Sequence, residues 1–204
     1  MIDVRLYLEL CIFMHNQSPL NNSSSFFKLA SIIPADYRQK TRKATWIIIV
    51  VFVALAMLLS SLLVMLFGEP GGDNFRLNIA GVATGVLITA TLVRQVFSKQ
   101  LWMAANLYGW RLKRSLMSVT NVMHHVTAGV AEHNHAAIKL LRFYHLGLMQ
   151  MHQLDGNTSE ISQMVHEVDQ HKSLMQELSI EAEQQTLDPA WIQAVKAIKA
   201  QKTL

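Results

Sequence analysis

Six histidines crowd the stretch from His124 to His152, and they are the residues whose type and density invite metal or proton chemistry. Imidazole is the commonest protein metal ligand and the side chain that titrates nearest neutrality. Their spacing does not favour a ligand set. His133-x-His135 points two rings to different sides of a helix, His145 and His152 share a face two turns apart, and Glu132 is the one acid among them. Neither His124-His125 nor any other pair belongs to an HExxH-type signature. The expected role is structural, with His133, His135, His145 and His152 as weak candidates for metal binding or pH sensing and no resident cofactor. Other reaction centres fail in identifiable ways: there is no phosphate-cradling loop, no G-x-S-x-G elbow and no pair of carboxylates in apolar surroundings. Gly71-Gly72-Asp73-Asn74 reads as a turn, and Met149 and Met151 as adaptable core. The one cysteine, Cys11, excludes an internal disulfide framework and suits a reducing compartment. A non-enzyme is the expectation.

The elements that would carry these residues are set by where the apolar side chains lie. They make up 51% of 204 residues and concentrate in two blocks. Trp46 to Phe67 is a 22-residue run without charge, Pro or Gly. As a helix it reaches ~33 Å, enough to cross a bilayer, with Trp46 where an interfacial anchor belongs. Leu77 to Val93 is also uncharged but holds Asn78, Thr84, Thr89 and Thr91. Its reading as a second span rests on the nine-residue link Gly68–Arg76, whose Gly and Pro residues force an antiparallel return. Gly81, Thr84 and Gly85 offer a small-residue surface for close helix packing, chiefly against Ala54, Ala56, Ser60 and Ser61 of the first span, with contact between two copies as the alternative.

Arg38, Lys40, Arg42 and Lys43 precede the first span, and Arg94, Lys99, Arg111, Lys113 and Arg114 follow the second, while the link carries Arg76 alone. This bias predicts that both termini are cytoplasmic. From Arg94 to His145 there are seven basic residues and one acid; from Leu146 to Asp188 there are eight acids and one base, Lys172. Nucleic-acid binding would want a continuous basic face with interleaved aromatics. Here the basic stretch adjoins an apolar span, so the implied partner is a layer of anionic headgroups, met by Trp46, Trp102, Trp110, Arg111, Lys113 and Arg114. The reversal further suggests an acidic helix folded back beside the 111–114 region.

Beyond the spans, Leu101, Ala105, Tyr108, Leu112, Leu116, Val119, Met123 and Val126 recur at helical spacing and predict one long helix. A second is expected from about Ala131 to Leu154, ended by Asp155-Gly156. A third, Thr158 to Gln185, would be capped by Asn157 and use Ile161, Val165, Val168, Met175 and Leu178 as its seam, with Lys172 interrupting it. Asp188-Pro189 starts a last helix through Lys202. The fold class is therefore all-α: a two-helix transmembrane hairpin (residues 37–97) followed by a cytoplasmic helical hairpin or small bundle (98–204). Residues 1–36, polar from Asn16 to Ser25, are expected to be a poorly ordered tail or an extension ahead of the natural start. A signal peptide would want a cleaner apolar core than Val4–Met14.

Tyr37-Arg38 before the first span, Gly72-Asp-Asn-Phe-Arg-Leu-Asn78 with Gly81, Tyr108-Gly-Trp110-Arg-Leu112, Phe143-Tyr-His-Leu-Gly147-Leu with Gln150, and Leu154-Asp155-Gly-Asn157-Thr158 form a set of short strings. Through them the chain resembles the bacterial domain-of-unknown-function family 3087, a group of two-span inner-membrane proteins, over roughly Tyr37 to Glu183. The resemblance implies this architecture and location and brings no activity, substrate or catalytic residue. Three functions stay open: a membrane-anchored interaction or scaffold protein, acting through a partner or a second copy; a regulatory or stress-sensing protein responding to pH, metal or lipid; and an oligomeric pore.

Overall fold

The uncharged run of Ile, Val, Leu and Ala after Trp46 has nothing to stop a helix, and basic residues extend it backwards. In the computed structural model, which describes residues 26–198, the first helix α1 spans Pro34–Phe67, with Pro34 at its start where a missing N–H costs nothing. The second, α2, spans Phe75–Gln95. Both are long and apolar enough to cross a membrane. The chain divides into two compact units, residues 39–107 and the residues up to 38 together with those from 108 onward.

In the first unit the link between α1 and α2 is closed by Asn74. Its side chain accepts from the Glu69 N–H (3.2 Å) and donates to the carbonyls of Glu69 (3.2 Å) and Gly72 (3.4 Å), while Gly71 takes the left-handed φ of 76°. The helices then meet backbone to backbone. A Cβ on Gly81 would collide with the main chain of Ser60, and one on Gly85 would lie 3.0 Å from the Ala56 Cα. The small-residue stripe thus advances in four-residue steps on both helices and in opposite directions, as an antiparallel pair requires. Thr84 is not part of it; it is exposed and bonds to the Ala80 carbonyl of its own helix (2.8 Å). The buried third member is Thr89, one four-residue step beyond Gly85. Ala54 and Ser61 are likewise exposed, leaving Ala56 and Ser60 to receive the glycines. Ser60 also donates to the Asn78 side chain (2.7 Å), so the polar residue that weakened the second span as a sequence is paired inside the hairpin.

Past α2, two 3₁₀ turns (Phe97–Lys99 and Leu101–Met103) precede α3, Ala104–Thr120. The single long helix expected from Leu101 to Val126 is therefore broken, and Leu101 is exposed. It breaks again after Thr120-Asn121, two weak helix formers, and resumes as α4, Met123–Ala131. Helix α5 is His135–Asp155, starting four residues later than expected because Asn134 caps it, accepting from the N–H groups of Ala136 (3.0 Å) and Ala137 (3.2 Å). Gly156 ends it at φ 78°. Helix α6, Thr158–Glu177, stops eight residues short of expectation: Ser179 takes a left-handed φ of 55°, and Ile180 folds back to donate to Met175 (2.8 Å) and pack on Met175 and Ile138. No Asn157 side-chain cap forms; its Oδ1 accepts from the Ser159 hydroxyl instead. The Asp188 cap does form, on Ala190 N–H (2.8 Å), and starts α7, Pro189–Lys196; the expected continuation beyond 198 lies outside the described residues.

The expected tail is corrected from Phe26 onward, residues 1–25 being outside the described range. Phe27–Lys28 (β1) pairs antiparallel with Thr186–Leu187 (β2), Phe27 opposite Leu187, so the chain is not purely helical. The core of this unit is formed by Leu112, Val119, Val126, Ile138, Leu140, Phe143, Leu154, Met175 and Val195, with α5 packed against α4, α6 and α7.

The hairpin geometry predicts that Gly81→Leu, whose side chain would have to displace Ser60 backbone, lowers the thermal stability of the protein in detergent by about 1–3 kcal/mol. Thr84→Leu, on the exposed side of the same helix, leaves it within about 0.5 kcal/mol. Equal effects of the two would show that α1 and α2 do not pack along this stripe.

Candidate functional site

Two polar centres interrupt the core of the helical unit. The first surrounds Ala30. An extended strand end has backbone groups that need partners, and here side chains supply them. The Tyr108 hydroxyl accepts from the Ala30 N–H (3.1 Å) and donates to Gln150 Oε1 (2.6 Å), and Gln150 Nε2 donates to the Ala30 carbonyl (2.5 Å). One tyrosine on α3 and one glutamine on α5 thus close a ring of hydrogen bonds around a single peptide position. Burial pushes the Tyr108 phenol up to about 12, with the two hydrogen bonds pulling the other way, so it holds its proton as donor. Phe27 fixes the neighbouring residues, its ring centroid 5.8 Å from Tyr108 and 6.4 Å edge-on from Phe143.

The same junction takes in Tyr37, Arg38, Gly109, Gly147 and Asp155 from the strings that carry the family resemblance, whereas the string at 72–78 lies in the α1–α2 link and the start of α2. Tyr37 is buried with its hydroxyl against Gly109, where no Cβ could fit. Arg38 donates to the carbonyls of Gln153 (3.2 Å) and Leu154 (3.4 Å), which satisfies the open C-terminal end of α5. Gly147 leaves room for Leu116, which would lie 2.8 Å from a Cβ there. Asp155 pairs with Lys113 at 3.4 Å. These residues tie the junction together through hydrogen bonds, close packing and one ion pair.

The second centre lies between α5 and α6. His145 is 2% exposed, its Nε2 3.4 Å from Glu167 Oε1, its Nδ1 without a hydrogen-bond partner among the described residues, and its ring edge-on to His171 at 5.3 Å. His171 is buried too, and its Nε2 lies 3.0 Å from the Ile138 carbonyl. A carbonyl only accepts, so that nitrogen carries the proton. One turn before His145, Arg142 is buried with Nε donating to the Ala182 carbonyl (2.9 Å) and one terminal nitrogen unpartnered among the described residues. Burial lowers both histidines, with the neighbouring charge of His171 adding to the effect on His145; Glu167 pulls each the other way and does not prevail.

His171 was not singled out from the sequence. Its place in the α6 seam is legible in retrospect: Val168, His171 and Met175 are buried at three- and four-residue spacing, whereas Val165 and Lys172 are exposed. The four histidines first considered do not gather. His133 sits in the α4–α5 loop at φ 57°, His135 is exposed, His152 is half-buried, and His145 pairs with His171. Among the described residues no group of three or more His, Cys, Asp or Glu is placed to hold a metal ion. The interface candidates divide: Trp46 and Trp110 are exposed, Arg114 lies over Trp110 at 5.3 Å, Trp102 meets Phe97 at 5.3 Å with the rings tilted by 57°, and Arg111 is half-buried. Within the acidic 167–183 stretch, Glu167 acts on His145, and Asp169 and Glu183 on Arg142, itself one of the basic residues between Arg94 and His145.

Tyr108→Phe strips Ala30 N–H and Gln150 Oε1 of their partner, and is expected to cost about 1–2 kcal/mol in thermal unfolding and to speed protease cleavage within residues 26–33. Wild-type melting and resistance in that variant would show that Phe27 alone docks the segment. In comparison with known proteins, neither the curated proteins nor the solved structures contain a match to this chain. A family model described as "Protein of unknown function (DUF3087)" matches residues 27–192, from the first residue of β1 into α7 and across the whole Ala30 junction, and the chain belongs to that family.

Proposed function

We propose that the protein is a non-enzymatic membrane anchor and interaction protein. In this reading the α1–α2 hairpin sits in the bacterial inner membrane, both termini are cytoplasmic, and the helical unit offers its surface to a protein partner or a second copy. One observation carries it. The hairpin exposes Val50, Leu58, Met65, Leu66 and Leu87 to more than half their full area, while the helical unit buries its own apolar residues in a separate core. Exposed apolar surface on that scale calls for lipid, and a unit with its own core does not need the hairpin's apolar face to fold. The orientation is supported by the basic residues on either side of the two spans, opposed by Arg76 alone in the link. Trp110 with Arg114 stacked on it has the chemistry of an anionic-headgroup contact, and no nucleic-acid partner is invoked.

A fluorescent protein fused after Leu204 is expected to fluoresce, and alkaline phosphatase inserted in the 68–74 link to be active; active phosphatase at the C-terminus would reverse the topology. Cross-linking in native membranes followed by mass spectrometry is expected to join exposed residues of the helical unit to one protein repeatedly, or to the same chain. Adducts confined to the hairpin, together with ion conductance in liposomes, would replace the anchor with a pore.

A further inference from the structure

We propose that the buried His145–His171 pair is an acid-sensitive latch, which holds α6 and the following segment, residues 178–187, on α5 while both rings are neutral and releases them when the rings take up protons. It concerns the helical unit alone and does not depend on the anchor reading.

The geometry gathers the ties in one place. Besides apolar contacts and the exposed Glu167 carboxylate 3.4 Å from His145 Nε2, α6 is fastened to α5 by the bond from His171 to the Ile138 carbonyl, and the segment beyond it by the bond from Arg142 to the Ala182 carbonyl. Both donors adjoin His145: Arg142 precedes it by one turn on α5, and His171 meets its ring edge-on at 5.3 Å. The centre already holds one buried cation, Arg142, with a terminal nitrogen unpartnered among the described residues. A proton on His145 would add a second cation in the same enclosed space, and one on His171 a third, with desolvation working against each.

The counter-charges are few. Glu167 on α6 is the carboxylate that faces His145, and its side chain is 72% exposed, so solvent screens much of its attraction. Asp169 on α6 and Glu183 in the following segment act on Arg142. Among the described residues, the helices α4 and α7, which also pack on α5, bring no charged group to either ring; His125 of α4 is directed to the Ile198 carbonyl at 2.7 Å, and Lys139 of α5 lies over Trp191 of α7 at 6.0 Å.

The sign follows from the depressed pKa values. Histidines that titrate lower when folded than when released contribute stability fully above the ordinary value of about 6.5, and that stability drains away as pH falls through the folded value, about 4 for His145. The window of release is thus between about pH 6.5 and pH 4.

Hydrogen exchange of the full chain in detergent or nanodiscs, corrected for the pH dependence of chemical exchange, tests this. Between pH 8 and pH 5, peptides covering 158–187 are expected to lose protection by about tenfold or more, while peptides of α2 do not. In the double variant His145→Gln, His171→Gln the loss is expected to shrink to below threefold. The wild-type sample gives a second reading that needs no variant to fold: the slow exchange of the histidine C2 protons should titrate, for His145 and His171, well below free histidine. Unchanged protection of 158–187 down to pH 5, an equal loss in the double variant, or C2 midpoints at or above that of free histidine would each overturn the latch.

Discussion

Residues 27–30 lie against the helical unit, and those of their backbone N–H and C=O groups that leave water must find partners there or cost the fold about 1–3 kcal/mol each. A two-residue ribbon can satisfy only its own positions, and it ends where Leu29 donates to Gln185 at 2.8 Å. Tyr108 and Gln150 take over at Ala30, from helices α3 and α5, and through that ring three distant parts of the sequence are brought together. Much else follows from it. Tyr108 can be in place only if α3 comes close to Tyr37, which Gly109 permits, and α5 can carry Gln150 to the same point only if Leu116 fits over Gly147. Tyr37, Tyr108, Gly109, Gly147 and Gln150 are, on this view, the parts of one docking joint.

The hairpin was the most legible part of the sequence because its determinants are local. Span length, the Gly/Pro link and the Gly81–Gly85 pair all lie within about 50 residues, and the structure uses each of them. Where the reading slipped, it slipped by one step of a helical ridge: Thr84 lies three residues after Gly81, but a helix crossing nearly antiparallel follows four-residue steps, which lead to Thr89. The Asp188-Pro189 start was legible for the same local reason. The ends of α4 and α6 were not, since His133 and Ser179 adopt left-handed backbone without the glycine that usually announces it. The docking of residues 26–33 was beyond reach, because Ala30 is 78 residues from Tyr108 and 120 from Gln150 and neither partner type advertises such a bond.

The polar centre between α5 and α6 was hidden for a different reason. Histidine counts as polar in an apolar stripe, so the α6 seam read from the sequence lacks His171 and is interrupted by Lys172, one residue on. Burial resolves the matter: a neutral imidazole with one nitrogen bonded to a carbonyl can serve as a core residue, whereas an ammonium cannot. The charge reversal along the sequence then has a local meaning, because the acids of 167–183 compensate Arg142 and face His145.

Apolar side chains at these positions would make a sturdier seam, since buried ionisable groups are often replaced by hydrophobic ones without loss of stability. What His145, His171 and Arg142 add is dependence on conditions and on partners at defined positions. Ile138 and Ala182 are tied through their carbonyls, so α6 and the segment after it have one register on α5. That segment also contains β2, which pairs with β1. The polar centre and the Ala30 joint are therefore linked by a short stretch of chain, Ala182 to Leu187, and whatever loosens the first removes the strand on which the second partly rests.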